Sequence, residues 1–376
     1  MTNLNFLVKP ASGHCNMRCR YCFYADETAT RESGNTGIMS FETADTLIEE
    51  AFATQKPGEA VTFAFQGGEP TLAGLDYFRH FVSKVKAVNT KNILVSYAIQ
   101  TNGLSLDRDW AAFFRENGFL VGVSVDGDKA IHDFLRPDAA GKDTWNRVTK
   151  NLALLKQEKV EVNLLCVVSR QCAKHPQKVY RSLQKLGGYL QFIPCLDPLE
   201  ADRGGMLYSL TPELYGDFLC AIFDLWYRDL TANVYTSVRL FDDYVHLAMG
   251  LPAGTCATAG TCGAYCVVEG DGTLYPCDFY CLDDWKLGRL GEAPLTDLLQ
   301  GETARRFLAE GLDHPIECAP CPYVRLCNGG CNRDWVRTEE GNHNYFCPAF
   351  RKFFDYAGPR IAQIARAQLG SQWPGR

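Results

Sequence analysis

A chain of 376 residues with 46% hydrophobic and 22% charged residues has the composition of a globular enzyme, long enough for one large domain and a smaller one. Its net charge of −6, with no cluster of Lys and Arg, excludes it from the basic chains that bind nucleic acid or an anionic membrane surface. No apolar run reaches the roughly 18 residues of a membrane span, and residues 1–6 lack a basic region leading into an apolar stretch, so a cytoplasmic location with reduced thiols is expected. Its seventeen cysteines are therefore poor disulfide candidates and good metal-ligand candidates. They are unevenly spread: three fall within 15–22, ten between 256 and 347, and only Cys166, Cys172, Cys195 and Cys220 between those groups.

In chain order, short apolar runs predict strands at 6–9, 61–65, 94–100, 120–125, 162–168 and 190–193. Continuous rather than alternating runs are what parallel strands covered on both faces require. Helical patterns lie between them. Ser105 is the expected N-cap of one, with Asp107 and Asp109 in its first turn, Trp110, Phe113 and Phe114 as its apolar stripe and Gly118 as its stop. Thr211-Pro212-Glu213 opens another, with Leu214, Phe218, Ile222, Leu225 and Trp226 on its apolar face. Six β/α units in this order predict an α/β fold, a partial (β/α)6 version of the TIM-like barrel with its site at the C-terminal ends of the strands. Beyond about residue 235 helical periodicity fades and Cys, Gly and Pro crowd in, so metal coordination is expected to organise that segment. The division is placed there: 1–235 as the barrel and 236–376 as a cysteine-rich domain.

Cys15-x3-Cys19-x2-Cys22 follows the first predicted strand. Three thiolates hold three irons of a cubane cluster and leave the fourth open to a chelating ligand. The bland alternative is three incidental or zinc-binding cysteines, but a structural zinc wants a fourth ligand, and only His14 is near. Gln66-Gly67-Gly68-Glu69-Pro70 directly follows the second predicted strand, where two glycines allow the backbone to approach a ligand, or simply make a turn.

The triplet, with the aromatic Tyr21 between its second and third cysteines, resembles the radical S-adenosylmethionine superfamily. That resemblance implies that Cys15, Cys19 and Cys22 hold a 4Fe-4S cluster whose open iron binds S-adenosylmethionine, and that Tyr21 packs near the adenine. It also implies that Gly67, Gly68 and Glu69 meet the cofactor's amino group, and that Ser124, Arg136 and Leu196 make further contacts. Arg136 and Leu196 are equally readable as ordinary surface or packing residues.

The far end carries Cys256, Cys262, Cys277, Cys318, Cys321, Cys327, Cys331 and Cys347. This pattern resembles the SPASM extension of peptide-modifying radical enzymes. The resemblance implies two auxiliary 4Fe-4S clusters, one on Cys256, Cys262, Cys277 and Cys331 and the other on Cys318, Cys321, Cys327 and Cys347. Clusters fully held by thiolate move electrons rather than bind substrate. A zinc ribbon on Cys318, Cys321, Cys327 and Cys331 is the competing reading. Cys266 and Cys281 sit beside proposed ligands and remain possible substitutes; with the four central cysteines they are read as buried apolar residues or spare thiols.

Across nearly the whole chain the sequence is similar to the anaerobic sulfatase-maturating enzymes. The similarity is carried by Lys9-Pro10-Ala11-Ser12, Cys19-Arg20-Tyr21-Cys22-Phe23-Tyr24, Phe63-Ala64-Phe65-Gln66-Gly67-Gly68-Glu69-Pro70-Thr71-Leu72-Ala73-Gly74, Gln100-Thr101-Asn102-Gly103 and Tyr275-Pro276-Cys277-Asp278-Phe279-Tyr280. It implies oxidation of a cysteine or serine in a sulfatase to Cα-formylglycine by a 5′-deoxyadenosyl radical. It further implies Asp278 as general base, the auxiliary clusters as electron exit, and a small flavodoxin or ferredoxin as donor. As an alternative, Asp278 is a solvated turn carboxylate, and Tyr24 and Gln66 either line a peptide site or pack. The rival activity is a SPASM-type maturase of ribosomal peptides that forms thioether or carbon–carbon crosslinks or epimerises residues. From another class comes a non-catalytic iron–sulfur carrier, which leaves the three-cysteine cluster beside a Gly-Gly-Glu-Pro loop unexplained.

Overall fold

In the computed structural model, which describes residues 3–371, the six predicted strands all form: β1 (Leu4–Val8), β2 (Ala60–Phe65), β3 (Leu94–Thr101), β4 (Phe119–Ser124), β5 (Glu161–Val168) and β6 (Tyr189–Pro194). The chain divides into two compact units interleaved in sequence. One comprises Met1–Val125, His132–Asn163 and Gly263–Phe307; the other comprises Asp126–Ile131, Leu164–Cys262 and Leu308–Arg376.

The first unit is built on a sheet in the order β4-β3-β2-β1-β7-β8-β9, where β7 (Cys266–Val268), β8 (Thr273–Tyr275) and β9 (Gly288–Arg289) come from the cysteine-rich segment. β1 to β4 pair in parallel, with Phe6 opposite Phe63 and Phe63 opposite Tyr97. Phe6, Val8, Val61, Phe63, Phe65, Val121 and Val123 are buried; in β2 they alternate with half-buried Ala60, Thr62 and Ala64, so that strand is fully covered on one face only. Helices α1 (Phe23–Thr30), α2 (Phe41–Thr54), α3 (Leu75–Val88) and α4 (Arg108–Glu116) follow their strands. Phe78 and Phe81 of α3 meet Phe65 edge-on at 4.9 and 5.0 Å. Each fully buried phenylalanine contributes about 2 kcal/mol of transfer free energy, so this aromatic layer anchors the strand ends that carry the site.

Two expectations are corrected. α4 is capped by Asp107, whose carboxylate accepts the N–H groups of Asp109 and Trp110, and not by Ser105, whose hydroxyl accepts from Asn16. The carboxylate two residues further on reaches both free amides, which a serine at 105 does not. The segment beyond 235 is also more regular than its texture predicts. β7 continues the main sheet, parallel to β1 with Phe6 opposite Cys266 and Val8 opposite Val268, and turns back through an antiparallel hairpin into β8. Three-residue strands are too short to leave a readable period.

In the second unit, helix Pro212–Thr231 is capped by Thr211 as expected, but its buried stripe runs through Tyr215, Phe218, Leu219, Ile222, Phe223 and Trp226; Leu214 and Leu225 are only half-buried. Helix Cys347–Ser371 packs along it through buried Phe353, Phe354, Ala357, Ile361 and Ala365. That helix contains Pro359, which hides it in the sequence, since an internal proline normally ends a helix. Among the described residues no helix is long and apolar enough to cross a membrane.

Candidate active site

β1 ends at Val8, and the loop that follows carries Cys15, Cys19 and Cys22 before α1 begins, with Cys22 at its N-cap. All three thiols are free and half-buried. The Met17 amide donates to Cys15 Sγ at 3.3 Å and the Asn102 side-chain amide lies 3.7 Å from the same sulfur. Burial raises the Cys15 thiol above its usual range, and the Met17 amide opposes this. Amides aimed at a sulfur suit a ligating thiolate.

The Gly67-Gly68 stretch presses directly on this loop. Gly68 N–H donates to Ser12 O at 2.8 Å and Glu69 N–H to His14 O at 2.7 Å. A Cβ on Gly68 would stand 2.1 Å from His14 O, and one on Gly67, at φ +114°, would stand 3.0 Å from both Lys9 Cγ and Ser12 O. The cysteine loop itself is thus a close neighbour that demands these glycines. The Glu69 carboxylate is consumed within the chain: it accepts from the Thr71 amide and hydroxyl, from the Thr101 hydroxyl at 2.7 Å and from the Asn102 amide at 2.7 Å. It ties the ends of β2 and β3 together.

Tyr21 and Arg136 are brought together, with an Arg136 guanidinium N–H donating to the Tyr21 hydroxyl at 2.6 Å. Both are buried. Ser124 is the last residue of β4, and Leu196 is half-buried two residues past β6 in the second unit.

The β8 turn places Cys277 and then Asp278 at the start of a short 3-10 turn. Asp278 is buried. Its Oδ2 accepts the Tyr24 hydroxyl at 2.7 Å and the Gln66 side-chain amide at 2.9 Å, and that same amide also donates to the Tyr24 hydroxyl. Its Oδ1 is buried with no partner. Burial pushes this carboxyl up to about 6, against the opposing pull of the Lys9 ammonium and the Tyr24 hydrogen bond. Tyr24 on α1 and Gln66 just past β2 were readable only as lining or packing; the structure joins both to Asp278.

Beside this trio lies a buried ionic group of which only Lys9 stands in a segment that carries the family similarity. Lys9, just past β1, pairs with Glu269 Oε1 at 2.6 Å, and Arg31 pairs with the same oxygen at 2.7 Å; all three are buried. The two cations hold the Glu269 carboxyl down at about 2 despite the opposing effect of its burial.

The thiols sort by burial. Cys15, Cys19, Cys22 and all eight proposed auxiliary ligands are half-buried, whereas Cys166, Cys172, Cys195, Cys266 and Cys281 are buried; Cys220 is half-buried. Cys281 packs with Leu7, Val267 and Tyr275 in an apolar cluster, and Cys266 sits within β7. Cys318, Cys321, Cys327 and Cys347 are electrostatic neighbours. Burial pushes Cys327 up to about 12, and the Cys318, Cys347 and Cys321 thiols add to this. Burial likewise raises Cys347 and Cys318 to about 11, with Cys321 adding in each case. In the same unit, burial raises Cys262 to about 11 and neighbouring Cys256 adds. A Cβ on Gly311 would stand 2.6 Å from Cys262 Sγ, so that glycine leaves room at the sulfur. Cys277 belongs to the other unit. Among the described residues, no three His, Cys, Asp or Glu side chains gather around a single metal ion.

The family model of the Radical SAM superfamily matches residues 10–182, and that of the SPASM iron–sulfur cluster-binding domain matches residues 260–322. Parallel sheet, thiol loop and cysteine-rich segment thus define a radical S-adenosylmethionine enzyme, whose cofactors are S-adenosylmethionine and 4Fe-4S clusters. The chain is 41% identical to a cysteine-type anaerobic sulfatase-maturating enzyme of Clostridium novyi, across 97% of this chain and 98% of that one. It is 29% identical to a serine-type anaerobic sulfatase-maturating enzyme of Bacteroides thetaiotaomicron, across 99% and 93%. The solved structure of native anSMEcpe with bound AdoMet and the Kp18Cys peptide matches with a TM-score of 0.91 at 39% identity, covering 97% of this chain and 100% of that one. The chain belongs to the anaerobic sulfatase-maturating enzymes.

Proposed function

We propose that this enzyme oxidises the side chain of a cysteine, or of a serine, in a sulfatase polypeptide to Cα-formylglycine, with Asp278 as the general base. The observation that carries this is the asymmetry of Asp278. One carboxylate oxygen is held by Tyr24 and Gln66, while the other is buried and unpaired. An oxygen without a partner in a buried site is poised to receive a proton from a thiol or hydroxyl within hydrogen-bond reach.

Cys15, Cys19 and Cys22 would hold the radical-generating cluster, and Tyr21, Gly67, Gly68, Glu69, Ser124, Arg136 and Leu196 would hold S-adenosylmethionine. Because the Glu69 carboxylate is spent on Thr71, Thr101 and Asn102, its contribution falls to the backbone of that stretch. The two auxiliary clusters would take Cys256, Cys262, Cys277 and Cys331, and Cys318, Cys321, Cys327 and Cys347. The mutual proximity of the last four supports that grouping. When bound, these groups supply hydrogen-atom removal from the substrate Cβ and a path for the second electron to leave. Asp278 Oδ1 takes the substrate's thiol or hydroxyl proton, while Tyr24 and Gln66 fix Oδ2 so that the carboxylate cannot rotate away. With serine the oxidation gives the aldehyde directly, and with cysteine it gives a thioaldehyde that water hydrolyses, the sulfur leaving as hydrogen sulfide. In functional terms residues 1–235 serve radical generation and 236–376 the auxiliary clusters and the base.

The greater likeness to cysteine-type relatives favours cysteine as the oxidised residue. The electron donor is a small flavodoxin or ferredoxin, and the setting is the cytoplasm, where the thiols stay reduced. The test incubates anaerobically reconstituted enzyme with S-adenosylmethionine, reductant and sulfatase-motif peptides carrying Cys or Ser, then reads peptide mass. Conversion of the Cys peptide to the aldehyde supports the proposal. Unchanged peptides beside vigorous 5′-deoxyadenosine release would transfer the chain to the crosslinking maturases.

A further inference from the structure

Lys9 is a costly residue to place where it is. An ammonium this deeply buried needs a partner, and Glu269 supplies one at 2.6 Å. Yet Glu269 does not need Lys9. Arg31 already pairs with the same Oε1 at 2.7 Å, and Thr36 and the Gly270 amide donate to Oε2. Arg31 also braces the cysteine loop, donating to Ser12 Oγ and Gly34 O. Two cations therefore share one carboxylate, which Arg31 alone already meets, and Lys9 also faces the carboxyls of Glu27 and Asp278. Burial alone would lower the Lys9 pKa; the surrounding Cys281, Glu269, Glu27 and Asp278 more than reverse this, so it stays a cation.

The second cation has another neighbour. Lys9 Nζ lies 5.0 Å from the centroid of the Tyr24 ring, within range of a cation–π contact. The Tyr24 hydroxyl, at the far end of that ring, donates to Asp278 Oδ2. The Lys9 stem reaches this place across Gly67, where any Cβ would crowd its Cγ at 3.0 Å. A continuous line thus runs from Arg31 through Glu269, Lys9 and Tyr24 to Asp278.

We propose that Lys9 is a positioning residue for the oxidation step: anchored on Glu269, its ammonium fixes the Tyr24 ring, which in turn aims the Asp278 carboxylate. This rests on the reading of Asp278 as the base.

The test is a double-mutant cycle on the reconstituted holoenzyme with Lys9→Met, which keeps the unbranched stem, and Tyr24→Phe, which keeps the ring. Lys9→Met raises the 5′-deoxyadenosine made per oxidised peptide about ten-fold, the scale of a desolvated cation–ring contact, and the loss falls on kcat rather than peptide KM. The double variant loses less than the product of the two single losses, because Lys9 acts in part through that hydroxyl, beside its direct charge on Asp278. Losses that multiply, or a fully coupled Lys9→Met enzyme, overturn the proposal. Lys9→Met combined with Glu269→Gln guards against misfolding, since it preserves the net charge of the group. It remains as uncoupled as Lys9→Met, and restored coupling would reduce Lys9 to a counter-ion. A crystal structure of Lys9→Met reads the geometry without turnover. The Tyr24 hydroxyl leaves Asp278 if the proposal holds and stays if it fails, even should wild-type enzyme prove inactive on sulfatase peptides.

Discussion

Tyr24 and Asp278 stand 254 residues apart in the chain, yet the phenol donates to the carboxylate at 2.7 Å. The contact exists because β7 pairs with β1, which brings the turn after β8 beside the helix after the cysteine loop. Tyr24→Phe removes one of the two bonds that hold Oδ2 and leaves Gln66 in place. A hydrogen bond to a charged group contributes about 1.5–3 kcal/mol, so peptide oxidation falls roughly 10- to 100-fold. Rates at saturating peptide check this, and an unaltered rate would free Asp278 from dependence on Tyr24.

Gly68 is the point where the β2 end meets the cysteine loop. A methyl group there collides with the His14 carbonyl at 2.1 Å, a backbone atom that moves only if the loop moves. Gly68→Ala therefore loses the iron and sulfide of one cluster and all cleavage of S-adenosylmethionine, while the auxiliary clusters persist. Iron counting with electron paramagnetic resonance separates the two classes.

Glu269 holds two buried cations, and Glu269→Ala leaves both without a carboxylate at a cost of about 3–5 kcal/mol. Its folded pKa of about 2 lies below the ordinary 4.5. The ionised form is therefore favoured by folding, and its contribution is complete above about pH 4.5 and lost as pH falls through about 2. The difference in thermal midpoint between wild type and Glu269→Gln should be constant from pH 8 to 5 and shrink only in acid. A gap that narrows between pH 8 and 6 would contradict this.

Cys277 and Cys281 are four residues apart and differ in setting. Cys281 packs against Leu7, Val267 and Tyr275. Cys281→Ala keeps the full iron complement at a modest stability loss of about 1 kcal/mol for the deleted sulfur. Cys277→Ala loses iron. Iron lost from Cys281→Ala and kept in Cys277→Ala would reverse the ligand assignment, and equal iron in the two would contradict it.

The strands were legible because their core-facing positions carry large apolar residues, and the cysteine triplet because its spacing is itself the signal. Asp278 was legible only through likeness to relatives. Its partners were not, because Tyr24 and Gln66 are unremarkable residues until a three-residue strand too short for periodicity brings them to it. Lys9 opens a segment that carries the similarity, but its burial was not legible, since a lysine past a strand end reads as solvated and its partner Glu269 comes from a distant segment. Helix Cys347–Ser371 was masked by Pro359.

In this enzyme Asp278 is proposed to take the substrate proton after the radical has been made. The most direct measurement is Asp278→Asn, which keeps the shape and removes the base. Reduced, reconstituted variant is given S-adenosylmethionine and the Cys peptide, and both products are counted. 5′-Deoxyadenosine should form at wild-type levels while peptide oxidation falls by at least about 100-fold, the scale of a lost general base. Peptide oxidation at the wild-type rate would contradict it.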